Sequence, residues 1–308
     1  MNDIIEQLFT KNGASIIRIA KTLLSFSPGE RIPNVSHLAE EFGTGRGTIQ
    51  QALKRLEELE LVKLESRGHQ GTYLTEIDML RTWEMVSMYG MTALMPLPYS
   101  KRYEGLATGL RQVLEKAGLR LSLAYMRGAN NRIDNLLTDR YDFVIISRYA
   151  AEQAIKEGEP ISIVMNFGTE TYVSGHSLVF RDKEKDQIED GFKIGLDFES
   201  IDQKTLTEKI CEGKNVQFIP IPYSQLLNRL QAGEIDACVF NRDEVEDRYT
   251  TFKLVPISFV ERNSNTEAVI VTKVDDEKVF RNLFSLVDSE QILQIQKEVI
   301  DGTRYPSY

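Results

Sequence analysis

The sequence predicts an α/β protein in two parts, a small helical domain over 1-78 and a larger two-lobed α/β domain over 79-308. Three observations carry this. Between Arg31 and Leu74, two apolar runs at helical spacing flank Gly43-Thr44-Gly45 and lead into a short hairpin. From about Met79, strand-like runs alternate with helical ones, the signature of an α/β domain with a largely parallel sheet. Within that part, two well-separated passages share one pattern of helix, short turn, Asp and buried strand.

Ile16, Ile17, Ala20, Leu23 and Leu24 make a supporting helical face, stopped by Ser27-Pro28-Gly29. An earlier face of Ile4, Ile5, Leu8 and Phe9 can pack on a partner subunit or on the body, and a dimer contact is the expectation. Ser36 is placed to cap a short helix carrying Leu38, Ala39 and Phe42. Glycine at Gly43 admits the left-handed backbone of the tight turn that follows. Arg46 to Glu60 then reads as a longer helix whose buried stripe is Ile49, Ala52, Leu53, Leu56 and Leu59. Arg46, Thr48, Gln50, Gln51 and Lys54 fall off that stripe and can face a DNA major groove. Leu61 to Leu64 and Thr72 to Leu74 form a two-stranded wing around Arg67-Gly68-His69-Gln70-Gly71. The segment is a winged helix-turn-helix.

Arg31-Ile32-Pro33, Leu38-Ala39-Glu40-Glu41-Phe42-Gly43, Arg46, Thr48-Ile49, Ala52-Leu53, Leu56-Glu57 and Gly71-Thr72-Tyr73 resemble the winged head of GntR-type transcriptional regulators. The resemblance implies operator contact by Arg46, Thr48, the position of Gln50, and the wing tip at His69 and Gln70. Two positions depart from it: Gly45 replaces the usual Ser or Thr cap, and Gln50 stands where many members carry arginine. Gly47, early in the reading helix, costs up to ~1 kcal/mol of helix propensity against alanine. The rival reading is a winged helix used only for protein contacts. It draws on Glu57, Glu58, Glu60 and Glu65, which offset the basic residues. Few phosphate contacts per head predict a homodimer on a palindromic duplex site.

The chain has 308 residues, 42% hydrophobic content and a net charge of -9, which argues against loose nonspecific attachment to nucleic acid. Met1 to Thr10 carries acids and no long apolar run, and nothing approaches the ~20 apolar residues of a membrane span, so a cytoplasmic location and no membrane partner are expected. Cys211 and Cys238 are the only cysteines; Cys238, in an apolar strand-like run, is expected in the core, and no disulfide is expected. No zinc-ligand spacing exists, and no metal or cofactor is expected.

In the larger part, strands are expected near Val86 to Leu94, Leu119 to Tyr125, Phe143 to Ile146, Ile161 to Phe167, Ser177 to Phe180, Phe192 to Leu196, Val216 to Ile219, Ala237 to Phe240, Phe252 to Ile257 and Ala268 to Val271, with two closing helices. Ile133 to Ile146 and Leu226 to Phe240 carry the shared pattern, the first through Asp142 and the second through Gly233 and Asp236. Leu227, Leu230, Gly233, Asp236 and Val239 resemble the second lobe of a type 2 periplasmic-binding-protein fold, and the likeness covers most of Met85 to Phe259.

Ligands in open α/β sheets bind beyond the carboxyl ends of strands. The candidate ligand residues are therefore Tyr99, Ser100 and Arg102, then Ser147 and Arg148, then His176 with Ser174 on the connection, then Asn241 and Arg242. Arginine there suits a carboxylate or phosphate and predicts an anionic effector. The acids of Asp197-Phe198-Glu199 leave a zwitterion open. Head and body together resemble the YhfZ-type regulators. That resemblance supplies architecture and no effector identity, and the function expected is a ligand-responsive DNA-binding regulator. An enzyme with a docking head is the rival from another class, but His176 is the only histidine of the body and no nucleophile-His-acid set has recognisable spacing. A third reading is a dimerisation scaffold with no ligand.

Overall fold

The computed structural model describes residues 11–87, 90–248, 251–257 and 261–308. The apolar face of Ile4, Ile5, Leu8 and Phe9 lies outside them. The chain forms two compact units, and the first is not one continuous stretch: it takes residues up to Met91 together with Leu114–Leu121 and Val274–Val287.

In the first unit, α1 (Lys11–Leu23) buries Ile19, Ala20 and Leu23 against the helices of the turn. The helix α2 (Val35–Glu41) starts at Asn34, whose side-chain oxygen accepts from the His37 amide at 2.9 Å. This corrects the cap expected at Ser36, which lies exposed inside the helix. A cap must precede the first helical residue with extended backbone, and Asn34 does so at φ -71°, ψ 157°. Gly43 takes φ 62° in the turn. The reading helix α3 (Arg46–Glu58) buries Ile49, Ala52, Leu53 and Leu56, as the stripe predicts. The strands β1 (Val62–Ser66) and β2 (Thr72–Ile77) pair antiparallel as the wing.

The strand expected over Val86 to Leu94 is corrected. Asp78 accepts from the Arg81 amide at 3.0 Å and opens α4 (Met79–Val86), whose Thr82 and Trp83 are buried and whose Met85 and Val86 pack on the head core. The strand β3 begins only at Met91 (Met91–Met95). A short apolar run is compatible with either element until its packing decides. The later helix Glu277–Phe284 also belongs to this unit. Its Asn282 donates to the Leu24 carbonyl at 2.8 Å, and Asp276 pairs with Lys21 at 2.7 Å.

The second unit carries two five-stranded sheets built to one plan. After α5 (Lys101–Lys116) come β4 (Leu121–Tyr125), α6 (Ala129–Leu137), β5 (Phe143–Ser147), α7 (Arg148–Glu157) and β6 (Ile161–Asn166). The next elements are β7 (His176–Phe180), β8 (Lys193–Leu196), α8 (Ile201–Ile210), β9 (Gln217–Pro220), α9 (Leu226–Gln231), β10 (Ala237–Asn241), α10 (Arg242–Arg248) and β11 (Lys253–Pro256). The chain returns through β12 (Ala268–Lys273), then α11 (Glu277–Phe284) and α12 (Ser289–Ile300).

The first sheet runs β4-β3-β5-β12-β6 and the second, read in the same sense, β9-β8-β10-β7-β11. In each, a parallel pair (β3 with β5, β8 with β10) meets an antiparallel strand (β12, β7) that in turn pairs antiparallel with the edge (β6, β11). The sheets are therefore mixed, not largely parallel. The two passages of shared pattern are α6 with β5 and α9 with β10, which hold equivalent places in the two sheets. The chain crosses from the first sheet to the second over 167–175 and returns between β11 and β12.

Two glycines matter to this packing. On α5, Gly105 and Gly109 lie one turn apart, and a Cβ there would come within 2.7 Å of the Gln296 carbonyl and 2.6 Å of the Ile292 carbonyl of α12. Gly109→Ala gains up to ~1 kcal/mol in helix propensity but must push a whole helix backbone away, which typically costs ~1–3 kcal/mol. Net destabilisation is the expected outcome, read as a lowered urea midpoint. Cys211 and Cys238 are free and buried, and burial pushes the Cys211 thiol up to about 11 and the Cys238 thiol further. Neither is expected to react with a thiol reagent at neutral pH until the chain unfolds, as counted by mass spectrometry.

Candidate functional sites

On α3, Arg46, Gln50, Gln51 and Lys54 are exposed and Thr48 is half-buried, on the side away from the buried stripe. Ser36, His69 and Gln70 are exposed as well, the last two in the turn Gly68–Gln70 at the wing tip. The turn is closed by Gly71 at φ 97°, where any Cβ would strike the Arg31 guanidinium at 2.5 Å. Arg31 bridges to Tyr73 and the Ile32 amide donates to the Thr72 carbonyl at 2.9 Å, so the wing is anchored to the chain entering α2.

Four acids of the head have local tasks. Glu57 accepts from the Leu64 amide at 3.1 Å and ties the reading helix to the wing. Glu58 meets Lys54 at 3.7 Å and Arg55 at 3.1 Å, Glu65 meets Arg67 at 2.8 Å, and Glu76 meets Lys63 at 2.7 Å. Arg67 also lies over the Tyr73 ring at 4.3 Å. Arg46 makes no salt bridge among the described residues.

In the second unit, a small cavity of about 60 Å³ lies between the lobes. The first lobe contributes Tyr99, Tyr103, Arg127, Gly128 and Arg132, the crossing Tyr172, and the second lobe His176, Ser200, Asp202 and Tyr223. Gly128 precedes α6 at φ 77° and abuts Glu199 of the second lobe, where a Cβ would meet the Glu199 carbonyl at 3.0 Å. Only glycine lets the lobes approach this closely there.

Of the eight residues expected to bind ligand, Tyr99 and His176 line this cavity and six serve elsewhere. Arg102 is held by Asp243 at 3.2 Å and by the Glu170 carbonyl. Arg148 is held by Glu152 and Glu267, each at 2.8 Å. Both guanidiniums are committed within the protein. Arg242 packs against Gly175, outside the cavity lining. Ser100 accepts from the Tyr103 amide at 3.4 Å at the head of α5, and the Asn241 side chain accepts from the Asp243 amide at 3.0 Å. Ser147 caps α7 at 3.0 Å and donates to Asp202 Oδ2 at 2.6 Å, a bond between the lobes. Ser174 is tied through its amide to Asp243 at 2.8 Å.

Arg127 and Arg132 are the cations the sequence reading passed over. Arg127 lies two residues past the end of β4, so the rule that pointed to Arg148 after β5 could have found it. Arg132, 3% exposed, donates to the Met126 carbonyl at 2.6 Å and to the Tyr172 hydroxyl at 3.0 Å. Asp197 proves to be a structural carboxylate: it accepts from the Glu199 amide at 3.0 Å and the Tyr223 amide at 2.8 Å, with Arg127 at 3.7 Å. It is not left to meet an amine. Burial lowers the His176 imidazole to about 4, despite nearby Asp243, so the ring is neutral at pH 7 and shares a hydrogen bond with Asn265 at 3.1 Å. Burial raises the Asp202 carboxyl to about 6, against the opposing pull of Ser147 and Arg132.

Among the described residues, no cluster of three or more His, Cys, Asp or Glu could hold a metal ion, and no helix is long and apolar enough to cross a membrane.

Comparison with known proteins gives two family matches: a helix-turn-helix domain over residues 27–74 and the YhfZ C-terminal domain over residues 78–308. The chain is 34% identical to protein YhfZ of Escherichia coli (strain K12) over 301 residues, 97% of this chain and 98% of that one. The crystal structure of YhfZ from Shigella flexneri superposes with a TM-score of 0.62 at 33% identity, covering 75% of this chain and 98% of that one. An amino acid ABC transporter substrate-binding protein, AbpA of Streptococcus pneumoniae bound to L-arginine, superposes with a TM-score of 0.50 at 12% identity, covering 69% of this chain and 93% of that one. The last likeness is one of fold alone.

Proposed function

The chain belongs to the YhfZ family, and we propose that it is a transcriptional regulator that binds operator DNA through α3 and the wing and responds to a small molecule held between the lobes. One observation carries the DNA-binding reading: a helix-turn-helix whose second helix buries one stripe and leaves Arg46, Gln50, Gln51 and Lys54 exposed on the other. Arg46 and the glutamines suit base edges, while Lys54 and the wing-tip residues His69 and Gln70 suit phosphates.

Such a head makes few phosphate contacts, which favours a homodimer acting on two half-sites. A cytoplasmic place of action follows from the DNA partner. This reading keeps a sequence division at 78/79, beside the α4 cap Asp78, although the first compact unit extends beyond it. A small-molecule effector is supported by an interlobe cavity lined by two guanidiniums, neutral His176 and several tyrosines. It can act on DNA affinity only through unequal binding to two states of the protein, typically worth ~1–3 kcal/mol.

The test is fluorescence anisotropy of the full chain on labelled fragments of its own upstream region. One fragment is expected to bind, with affinity falling as salt rises. Equal, weak affinity for every fragment at low salt would overturn the regulator reading.

A further inference from the structure

Three polar atoms around the interlobe cavity are buried without a hydrogen-bond partner: Nη1 of Arg127, which has only the Asp197 carboxylate at 3.7 Å, Nε of Arg132 and Oδ1 of Asp202. Leaving a buried polar group unsatisfied typically costs ~1–3 kcal/mol, and more when it is charged. Three such atoms around one space point to a ligand that completes them. Two are fixed donors on cations, and Gly128, the residue before α6, and Ala129, its first, line the same space, where the helix dipole favours negative charge.

The third atom sets the finer chemistry. Ser147 already donates to Asp202 Oδ2, leaving Oδ1 as the oxygen available to carry a proton. The charged and titratable groups facing Asp202 are few: Arg132 from α6, Tyr172 from the crossing, and Ser147 at the end of β5. Around the rest of the cavity Arg127 is offset by Asp197, and His176 is neutral. With Asp202 ionised, Arg132 is balanced; with Asp202 neutral, one positive charge is left for an anion. Size limits that anion. With only about 60 Å³ of water-accessible space, the cavity favours a small anion such as acetate or lactate.

Resting on the effector reading above, we propose that the cavity binds a small carboxylate, with its charge on Arg132, with Nη1 of Arg127 as a second donor, and with Asp202 Oδ1 as a hydrogen-bond donor to it. Binding then takes up a proton at Asp202. The free carboxyl titrates near pH 6, and a bound anion raises it further. Affinity is therefore greatest in acid and falls by up to about tenfold per pH unit above about 6. Acetate and lactate are themselves ionised across that window.

The experiment is calorimetric titration of the full chain with acetate, lactate and glycine at about pH 5.5, 6.5 and 7.5 and constant ionic strength, a range that spans the Asp202 transition. Acetate or lactate is expected to bind at least about tenfold more weakly at the top of the range than at the bottom. In Asp202→Asn the amide donates where the acid did, so affinity is retained and the pH dependence disappears. Arg132→Gln loses binding while circular dichroism shows the fold intact. Glycine binding that strengthens with pH would overturn the proposal, since it would mean an ammonium on ionised Asp202. Carboxylate binding that ignores pH in the parent protein would overturn the donor role of Asp202, and no carboxylate binding at any pH would overturn the site. Operator anisotropy on the same preparations separates the two readings. A chain that binds operator but no carboxylate sinks only this inference, and one that binds carboxylate with unaltered operator affinity sinks effector control.

Discussion

Phe280→Ala is expected to destabilise the N-terminal unit by about 3–5 kcal/mol, the usual cost of deleting a buried aromatic ring. Phe280 is 2% exposed and packs edge to face on Trp83, with ring centroids 5.6 Å apart; Phe284 lies beside it at 5.8 Å. The residue stands near the far end of the chain, yet its unit is that of the helix-turn-helix. Asn282 and Asp276 fasten the same helix to the end of α1, the support of the reading helix. Trp83 is the chain's single tryptophan, so its emission reports the one environment of which Phe280 is part. A red-shifted emission in the folded variant and an earlier urea midpoint are expected. An unchanged emission spectrum would show that the head unit is complete without α11.

Arg46→Ala is expected to weaken operator binding by about 1–3 kcal/mol per head, or roughly five- to 150-fold, while leaving thermal stability unaltered. Arg46 is exposed and makes no salt bridge among the described residues, so its removal strands no buried partner. Its neighbours Lys54 and Arg55 behave differently, because Glu58 must be released before either reaches a phosphate. Lys54→Ala should therefore cost less than Arg46→Ala and act equally on all sequences, reducing the salt slope by about one. Anisotropy of both variants on the operator and on a scrambled duplex measures the difference. Operator affinity that survives Arg46→Ala would remove α3 as the reading element.

Legibility followed the range over which each feature is determined. The turn glycine at Gly43, the buried stripe of α3 and the wing are written in neighbouring residues, and their spacing was enough to read them. The shared pattern of Ile133 to Ile146 and Leu226 to Phe240 was likewise local, and its two copies occupy matching places in the two sheets. The cap at Asn34 and the helix over Met79–Val86 were misread because a neighbouring residue or the other regular structure fitted the same letters.

What the sequence by itself determined is the sort of protein this is: a helix-turn-helix with a wing, followed by an α/β body of two alike halves, because helical and strand periods are properties of short segments. What only the tertiary structure decided is which polar groups remain available for function. Arg102 and Arg148 looked like ligand residues until folding brought Asp243 and Glu267 to them from 141 and 119 positions away. Arg127, Arg132 and Asp202 are placed around one cavity only by the packing of α6 and α8 from different lobes. A charge is neutralised or exposed by whatever folding puts within a few ångströms of it, and spacing along the chain does not encode that distance.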